Sequence, residues 1–181
     1  MSFDINWAAQ IIPGSSMMGL EIGIAQGDVI QALSRHAVGA DVVRFKNSPE
    51  LLIDSSEENV IYLRASEIRH VNYSWQNEVS RLVFRTGKLS SITVETPIGE
   101  ESLAYRDVLF GRVGLGSPVS NLLEFCDLEY DSAEEWFYPI GNTSGLVVAG
   151  RACDLSVDPN QAITFIKVFA ERSSGIETVA P

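Results

Sequence analysis

Short apolar runs separated by glycine-containing turns recur along the chain, and both halves open with the same order of them. Residues 19–24 (GLEIGI) have the pattern of a short strand, and residues 27–33 (GDVIQAL) have the spacing of an amphipathic helix. In the second half, residues 108–115 (VLFGRVGL) and 116–123 (GSPVSNLL) repeat this order. The pattern predicts that each half begins with a strand, a tight turn and a short helix.

The residues at the two predicted turns suit the start of a helix. Asp28 and Ser117 have short polar side chains that accept hydrogen bonds from the first free backbone N–H groups of a helix. Pro118 is a residue favoured at the first helical position, where no backbone N–H is needed. We therefore expect one helix to begin at Asp28 and the other at Ser117.

Both halves also close on hairpin patterns. Residues 82–84 and 89–94 flank a turn at 87–88, and residues 145–149 and 162–169 flank a longer connection. Further strands are predicted near residues 42–45, 60–63, 71–75 and 136–139, with polar loops at 47–50 and 54–59 and a connector at 95–104. This order predicts an α+β protein, mainly antiparallel sheet, with two similar β-α-β-β-β halves.

The length of 181 residues is enough for one substantial core. We expect residues 1–181 to form a single globular body, with repeat halves at 17–95 and 106–170. Residues 171–181 contain little that could be buried, so we expect them to be a frayed tail.

The charge balance restricts the classes of partner. Thirteen basic and 24 acidic residues give a net charge of −11, which disfavours nucleic acid and anionic membrane surfaces and favours a basic protein partner. The first basic residue is Arg35, so the N-terminus lacks the positive region of a secretory signal, and no apolar run is long enough to cross a bilayer. The expected location is the cytoplasm.

The residue types that usually carry catalysis are few. His36 and His70 are the only histidines, and Cys126 and Cys153 are the only cysteines. Neither cysteine belongs to a CxxC or Cys/His spacing of the kind that binds zinc. We expect two reduced, partly buried thiols and a His36 that lies at a helix C-terminus, where the helix dipole favours positive charge. No catalytic residue, no metal site and no cofactor are predicted.

Two other polar patterns are interpreted as turns. The glycines at 111, 114 and 116 lack the Lys-Ser or Lys-Thr that would complete a phosphate-binding loop. Asp154, Asp158 and Asn160 are spaced like calcium ligands, but the central glycine and terminal glutamate of an EF-hand loop are missing.

The strongest candidate for a binding site is the segment 124–138. It contains six carboxylates and no basic residue, and large aromatic residues are interleaved among the acids. Acidic residues steer and pair with Lys or Arg, while aromatic residues serve as anchors. The predicted partner-binding residues are Asp127, Glu129, Tyr130, Asp131, Glu134, Glu135 and Trp136. A solvated helix end and loop, with the aromatic rings turned into the core, is the alternative.

The glycine-strand-turn pattern resembles that of immunity proteins from bacterial polymorphic and contact-dependent growth inhibition toxin systems. The resemblance rests on residues 11–15 (IIPGS) and 19–23 (GLEIG) and their echo at 111–118 (GRVGLGSP). It implies a cytoplasmic toxin inhibitor that binds and neutralises a cognate toxin domain. Small envelope-assembly modules have a similar pattern, but the lipoprotein signal of those modules is absent here. The alternative from another class is a small hydrolase or ligand-binding enzyme that uses carboxylates of the second half.

Overall fold

The computed structural model describes residues 4–68, 74–97, 100–141 and 143–170. Its one α-helix within these ranges, α1, spans Gln26–Arg35, and 3-10 helices span Ser74–Asn77, Glu101–Leu103 and Val119–Glu124. The strands of the first half are β1 (Ser16–Met17), β2 (Leu20–Glu21), β3 (Ala37–Gly39), β4 (Val42–Arg44), β5 (Glu50–Asp54), β6 (Val60–Ala65), β7 (Glu78–Arg85) and β8 (Lys88–Glu95). Those of the second half are β9 (Asp127–Asp131), β10 (Trp136–Ile140), β11 (Leu146–Ala149) and β12 (Phe165–Phe169).

Ten of these strands form a single antiparallel sheet across the described residues. The order is β3-β4-β5-β6-β7-β8-β12-β11-β10-β9, and β1 and β2 form a separate small hairpin. Each half is therefore a meander of sequential strands, and the meanders meet where β8 pairs with β12. The predicted α+β class with mainly antiparallel sheet is confirmed. The first half contributes six strands to the sheet and the second half four, so the two differ in length.

One face of the sheet carries the core. Ile92 and Val94 on β8 lie opposite Val168 and Ile166 on β12, and all four side chains are fully buried. The N-terminal segment and α1 cover this face with Trp7, Met17, Met18, Val29 and Leu33, among others. Burying one such side chain stabilises the fold by about 1.5–3 kcal/mol, so this face supplies most of the driving force for folding.

The helices do not begin where the sequence pattern predicts. Helix α1 begins at Gln26, with Ala25 as N-cap and no side-chain cap, so Asp28 lies within the first turn and is not the cap. In the second half, Pro118 is the N-cap of a 3-10 helix. The Ser117 hydroxyl instead accepts a hydrogen bond from the Gly114 N–H at 3.1 Å. In both places backbone pairing to a neighbouring hairpin fixes the start of the helix, and capping chemistry does not.

That backbone pairing is the same in both halves. In the first half the hydrogen bonds are Gly23 N–H to Leu89 O at 2.7 Å, Leu89 N–H to Ile24 O at 2.8 Å and Gln26 N–H to Gly87 O at 2.9 Å. In the second half they are Gly116 N–H to Ile163 O at 2.8 Å, Ile163 N–H to Ser117 O at 2.8 Å and Val119 N–H to Gln161 O at 2.9 Å. The two sets match residue for residue. Residues 23, 24 and 26 correspond to 116, 117 and 119, and residues 87 and 89 correspond to 161 and 163. The superposition of 17–95 on 106–170 stays a prediction. If it holds, these bonds predict which residues of the two halves should superpose.

Several predicted strands differ from the structure. Residues 108–115 form a turn closed by Leu109 and Val113, because the left-handed backbone at Phe110 (φ 52°) and Gly111 (φ 78°) reverses the chain there. Strand β5 lies between two predicted polar loops and was not expected. The predicted strand at 71–75 is a 3-10 helix from Ser74 onward, and residues 71–73 lie outside the described ranges, as do His70 and the tail at 171–181.

Candidate functional site

The predicted acidic-aromatic segment forms the hairpin of β9 and β10 at one end of the sheet. Trp136 lies opposite Asp131, Tyr138 opposite Glu129 and Ile140 opposite Asp127. Directly opposite residues of an antiparallel pair project from the same face. The three acids predicted to share one face of an extended segment therefore do so, together with Trp136 and Tyr138. We call the sheet face on which they lie the outer face, because it is opposite the core.

Tyr130 is separated from the other predicted site residues. It lies opposite Phe137, and the two rings are 4.9 Å apart on the core side of the hairpin. Phe137 is fully buried, so Tyr130 helps to cover the end of the core. For this residue the structure favours the alternative in which the aromatic ring turns inward.

The turn between β9 and β10 presents two more of the predicted acids. Glu134 and Glu135 are exposed, and Asp131 holds the turn because its Oδ1 accepts the N–H groups of Ala133 at 2.8 Å and Glu134 at 3.3 Å. Glu135 has a φ of 61°, in the left-handed region. Asp131 thus has a structural role in addition to its charge.

Five carboxylates of the hairpin form no ion pair with the basic residues that the structure describes. Within the described parts of the chain, no basic nitrogen lies within 4 Å of Asp127, Glu129, Asp131, Glu134 or Glu135. Only the sixth carboxylate, Glu124, is paired, with Arg112 at 2.5 Å. Burial and the nearby charges of Asp131 and Glu134 raise the pKa of Tyr138. The end of the sheet is therefore a surface of net negative charge.

Trp136 belongs to an aromatic cluster on the outer face. Its ring stacks on Phe165 of β12 at 5.5 Å and lies 6.4 Å from the ring of Tyr138. The Lys167 ammonium lies 5.0 Å from the centre of the Trp136 ring. All of these side chains are only half-buried, so the cluster is open to a partner.

Charged residues that the sequence did not predict as a site occupy the centre of the outer face. Six residues, each directly opposite the next on the neighbouring strand, form a row across β5, β6, β7, β8, β12 and β11. They are Asp54, Tyr62, Arg81, Thr93, Lys167 and Val147. A sequence signal for them exists, since Arg81, Thr93 and Lys167 interrupt apolar strands at alternate positions.

Arg81 serves two carboxylates. Its Nη2 lies 2.7 Å from Glu78 Oε1 but 3.6 Å from Glu95 Oε1, so Glu78 has the closer ion pair. Burial and then the charge of Glu78 raise the pKa of Glu95 to about 7, and Arg81 offsets only part of this. Burial also raises the pKa of Glu78. A carboxyl that titrates near neutral pH therefore lies on the outer face.

A tyrosine between two guanidinium groups adjoins this pair. The Arg64 and Arg81 guanidinium carbons lie 4.7 and 5.4 Å from the centre of the Tyr62 ring, and Arg64 also pairs with Asp54 at 3.0 Å. These stacked and paired groups hold one another in place, so the middle of the outer face is preorganised.

The remaining candidate residues do not gather into a site. His36 caps the C-terminus of α1, as predicted, and lies 2.8 Å from Asp4. Cys126 and Cys153 are half-buried free thiols, and burial raises the pKa of Cys126, which opposes thiolate formation. No group of three potential metal ligands occurs among the described residues. Asp154 and Asp158 each accept a backbone N–H two residues ahead, as expected of turns.

The hydrolase alternative, which uses carboxylates of the second half, stays a prediction. Asp127, Glu129 and Asp131 project side by side from one strand, and the hairpin does not place two carboxyl groups across a cleft.

No family model matches the chain, and no curated protein matches it. Among solved structures, it is similar to the uncharacterized protein YfeY from Escherichia coli, with 11% identity, a TM-score of 0.45 and coverage of 89% of this chain and 99% of that one. It is also similar to a cysteine-rich secretory protein from Staphylococcus aureus, with 9% identity and a TM-score of 0.35. That match covers 93% of this chain and 51% of the other.

No helix in the described part of the chain has both the length and the apolar composition needed to cross a membrane.

Proposed function

We propose that this chain is a cytoplasmic, immunity-type protein that binds and neutralises a cognate toxin domain through the outer face at the β9–β10 end. The observation that carries the proposal is a set of five carboxylates, beside the half-buried Trp136, that form no ion pair with any basic residue the structure describes. A surface of this kind repels nucleic acid and attracts a protein rich in Lys and Arg.

The chemistry fits a toxin that acts on nucleic acid. Such an enzyme must present basic groups to phosphate, and an acidic protein can compete for the same groups. Acids at the rim accelerate encounter, while a large ring that is partly open to solvent gives the contact its anchor. Trp136 has this character because it lies on the outer face and stacks on Phe165.

The test begins with capture of partner proteins on the tagged chain and purification of the captured protein. The decisive variant is Glu129→Ser with Glu134→Ser, which removes two unpaired charges and spares the turn bonds of Asp131. Its matched control is Glu100→Ser with Glu101→Ser, which removes two exposed acids in the connector. We expect the first pair to slow association about tenfold and to flatten its salt dependence, with little effect from the control.

Trp136→Ala tests the anchor. We expect it to weaken binding by at least ~2 kcal/mol while the protein remains folded, as judged by urea unfolding of the free chain. If both charge pairs change the association rate and the salt slope equally, the outer face is not the interface. The proposal also fails if the purified partner binds Trp136→Ala as tightly as the native chain.

A further inference from the structure

Lys167 is a half-buried cation at the centre of the outer face. In the described part of the chain, no carboxylate oxygen lies within 4 Å of its ammonium group. The other described basic residues without an ion pair are exposed: Lys46, Arg85, Lys88 and Arg106. Among the basic residues of the described ranges, Lys167 alone combines partial burial with the lack of an ion pair.

The surroundings of Lys167 compensate its charge only in part. Its Nζ lies 5.0 Å from the centre of the Trp136 ring and 6.0 Å from that of Phe169, and cation–π attraction recovers some of the lost hydration. Burial and then the positive charges of Arg81 and Arg85 lower the pKa of Lys167. Holding an ammonium group in such a place costs free energy, and the aromatic rings return only part of it.

Glu95 and Glu134 do not supply the missing partner. Glu95 lies on the adjacent strand β8, but it shares Arg81 with Glu78 and makes no ion pair with Lys167. Glu134 on the hairpin turn favours the charge of Lys167 from beyond ion-pair distance. Within the described ranges, the ammonium group therefore has no acidic partner at ion-pair distance.

We propose that Lys167 receives a carboxylate of the partner protein, so that the partner's contact surface carries one acidic residue among its basic ones. This inference rests on the proposed function, because it concerns the same outer face. Strand β12 is two strands from β10 and three from β9. Glu129 and Asp131 lie on β9, so at about 4.8 Å per strand the partner's acid lies about 14 Å from the basic residues that meet them.

The arrangement provides specificity beyond charge attraction. A uniformly basic protein gains from the acids of the hairpin but brings a like charge to Lys167, which disfavours its docking. Only a partner with the opposite charge at that spacing satisfies both regions. Lys167 thus selects among the basic proteins that the acidic hairpin attracts.

The first test compares Lys167→Met with Lys88→Met. Met keeps the apolar stem and removes the charge, and Lys88 is an exposed lysine on the adjacent strand β8. Against the partner purified as above, we expect Lys167→Met to weaken binding about tenfold or more and Lys88→Met to change it less than about twofold. The free Lys167→Met chain should unfold at the same or a higher urea concentration than the native chain.

Two results overturn the inference and leave the proposed function intact. One is equal binding by the two lysine variants while Glu129→Ser with Glu134→Ser still slows association. The other is a loss of stability in Lys167→Met that accounts for its weaker binding, since Lys167 would then be a packing residue.

A second test needs no partner protein and observes the lysines directly. The chain has only three of them. Reductive methylation with carbon-13 preserves their charge and gives each a separate NMR signal. Titration with sodium acetate, at ionic strength held constant with sodium chloride, should shift the Lys167 signal saturably and leave those of Lys46 and Lys88 nearly unchanged. Equal behaviour of all three lysines overturns the inference.

Discussion

At the scale of single residues, Glu95 is the carboxyl whose protonation should control stability near neutral pH. Its side chain is 26% exposed and its pKa is raised from 4.5 to about 7 by burial and by Glu78. The folded chain holds this proton more tightly than the unfolded chain, so the contribution to stability is present at low pH. It is lost as pH rises from about 4.5 through 7, with an upper limit of about 3 kcal/mol.

Replacing Glu95 by Gln should remove this dependence. We expect urea unfolding of the native chain to show lower stability at pH 8 than at pH 5.5, and Glu95→Gln to reduce that difference by about 1–2 kcal/mol. Glu100→Gln, at an exposed position, is the control and should leave the difference as it is. An unchanged pH profile in Glu95→Gln would show that Glu95 titrates at its ordinary pKa.

Gly145 is a second position where one residue decides the outcome. Its φ is 77°, and an added Cβ would lie 2.4 Å from Gly14 Cα and 2.5 Å from Phe169 O, both backbone atoms. Gly111 has nearly the same φ, 78°, but has open space around its Cβ position. The two glycines share the backbone strain of a substitution and differ only in the clash.

Gly145→Ala should therefore destabilise the chain much more than Gly111→Ala. We expect about 1 kcal/mol for Gly111→Ala, from its left-handed backbone alone, and at least about 3 kcal/mol for Gly145→Ala. Thermal or urea unfolding of both variants measures the difference. Equal losses would mean that the N-terminal segment can move away from β11 without cost.

At the scale of elements, the two faces of β10 should respond differently to substitution. Phe137 is fully buried on the core side, whereas its neighbour Trp136 lies half-buried on the outer face. We expect Phe137→Ala to cost about 3–5 kcal/mol of stability and Trp136→Ala less than about 1.5 kcal/mol. Urea unfolding checks both, and comparable losses would place Trp136 in the core.

The elements also show how far sequence patterns reach. The apolar-polar-apolar order in 92–94 and 166–168 predicted the centres of β8 and β12, because Ile92, Val94, Ile166 and Val168 face the core while Thr93 and Lys167 lie on the other face. The helix starts could not be predicted from capping residues, since Gly23 and Gly116 are held by bonds to the distant residues Leu89 and Ile163. Long-range pairing of this kind leaves no local signal.

The candidate site divides in the same way. The acids at 127, 129 and 131 could be placed on one face from their spacing alone, and the structure pairs them with β10 in that arrangement. Lys167, Glu95 and Arg81 come from three strands far apart in the sequence, so only the strand order brings them together. Each of them appears in the sequence as a charged residue within or at the end of an apolar strand.

At the scale of the whole molecule, the sheet consists of two meanders joined at one ladder. Strands β8 and β12 pair in a register centred on Thr93 and Lys167, with Ile92 opposite Val168 and Val94 opposite Ile166. The three-residue stretches 92–94 and 166–168 are thus related as though by a two-fold axis through that central pair. Equivalent strands of the two halves meet edge to edge.

Cutting the chain between 97 and 100 would give a first fragment that carries β8 and a second that carries β12. The residues at the central position of that ladder then determine which fragments can pair. Two copies of the second fragment, paired in the same register, would set one Lys167 directly against another, and like charges placed opposite each other are destabilising. When the first fragment pairs with the second, Thr93 lies opposite Lys167 and no like charges meet. Co-expressed fragments should therefore reassemble one to one in analytical ultracentrifugation, and Lys167→Thr should allow the second fragment to self-associate. Lys167 would then be the residue that prevents the exposed edge of β12 from pairing with β12 of a second copy.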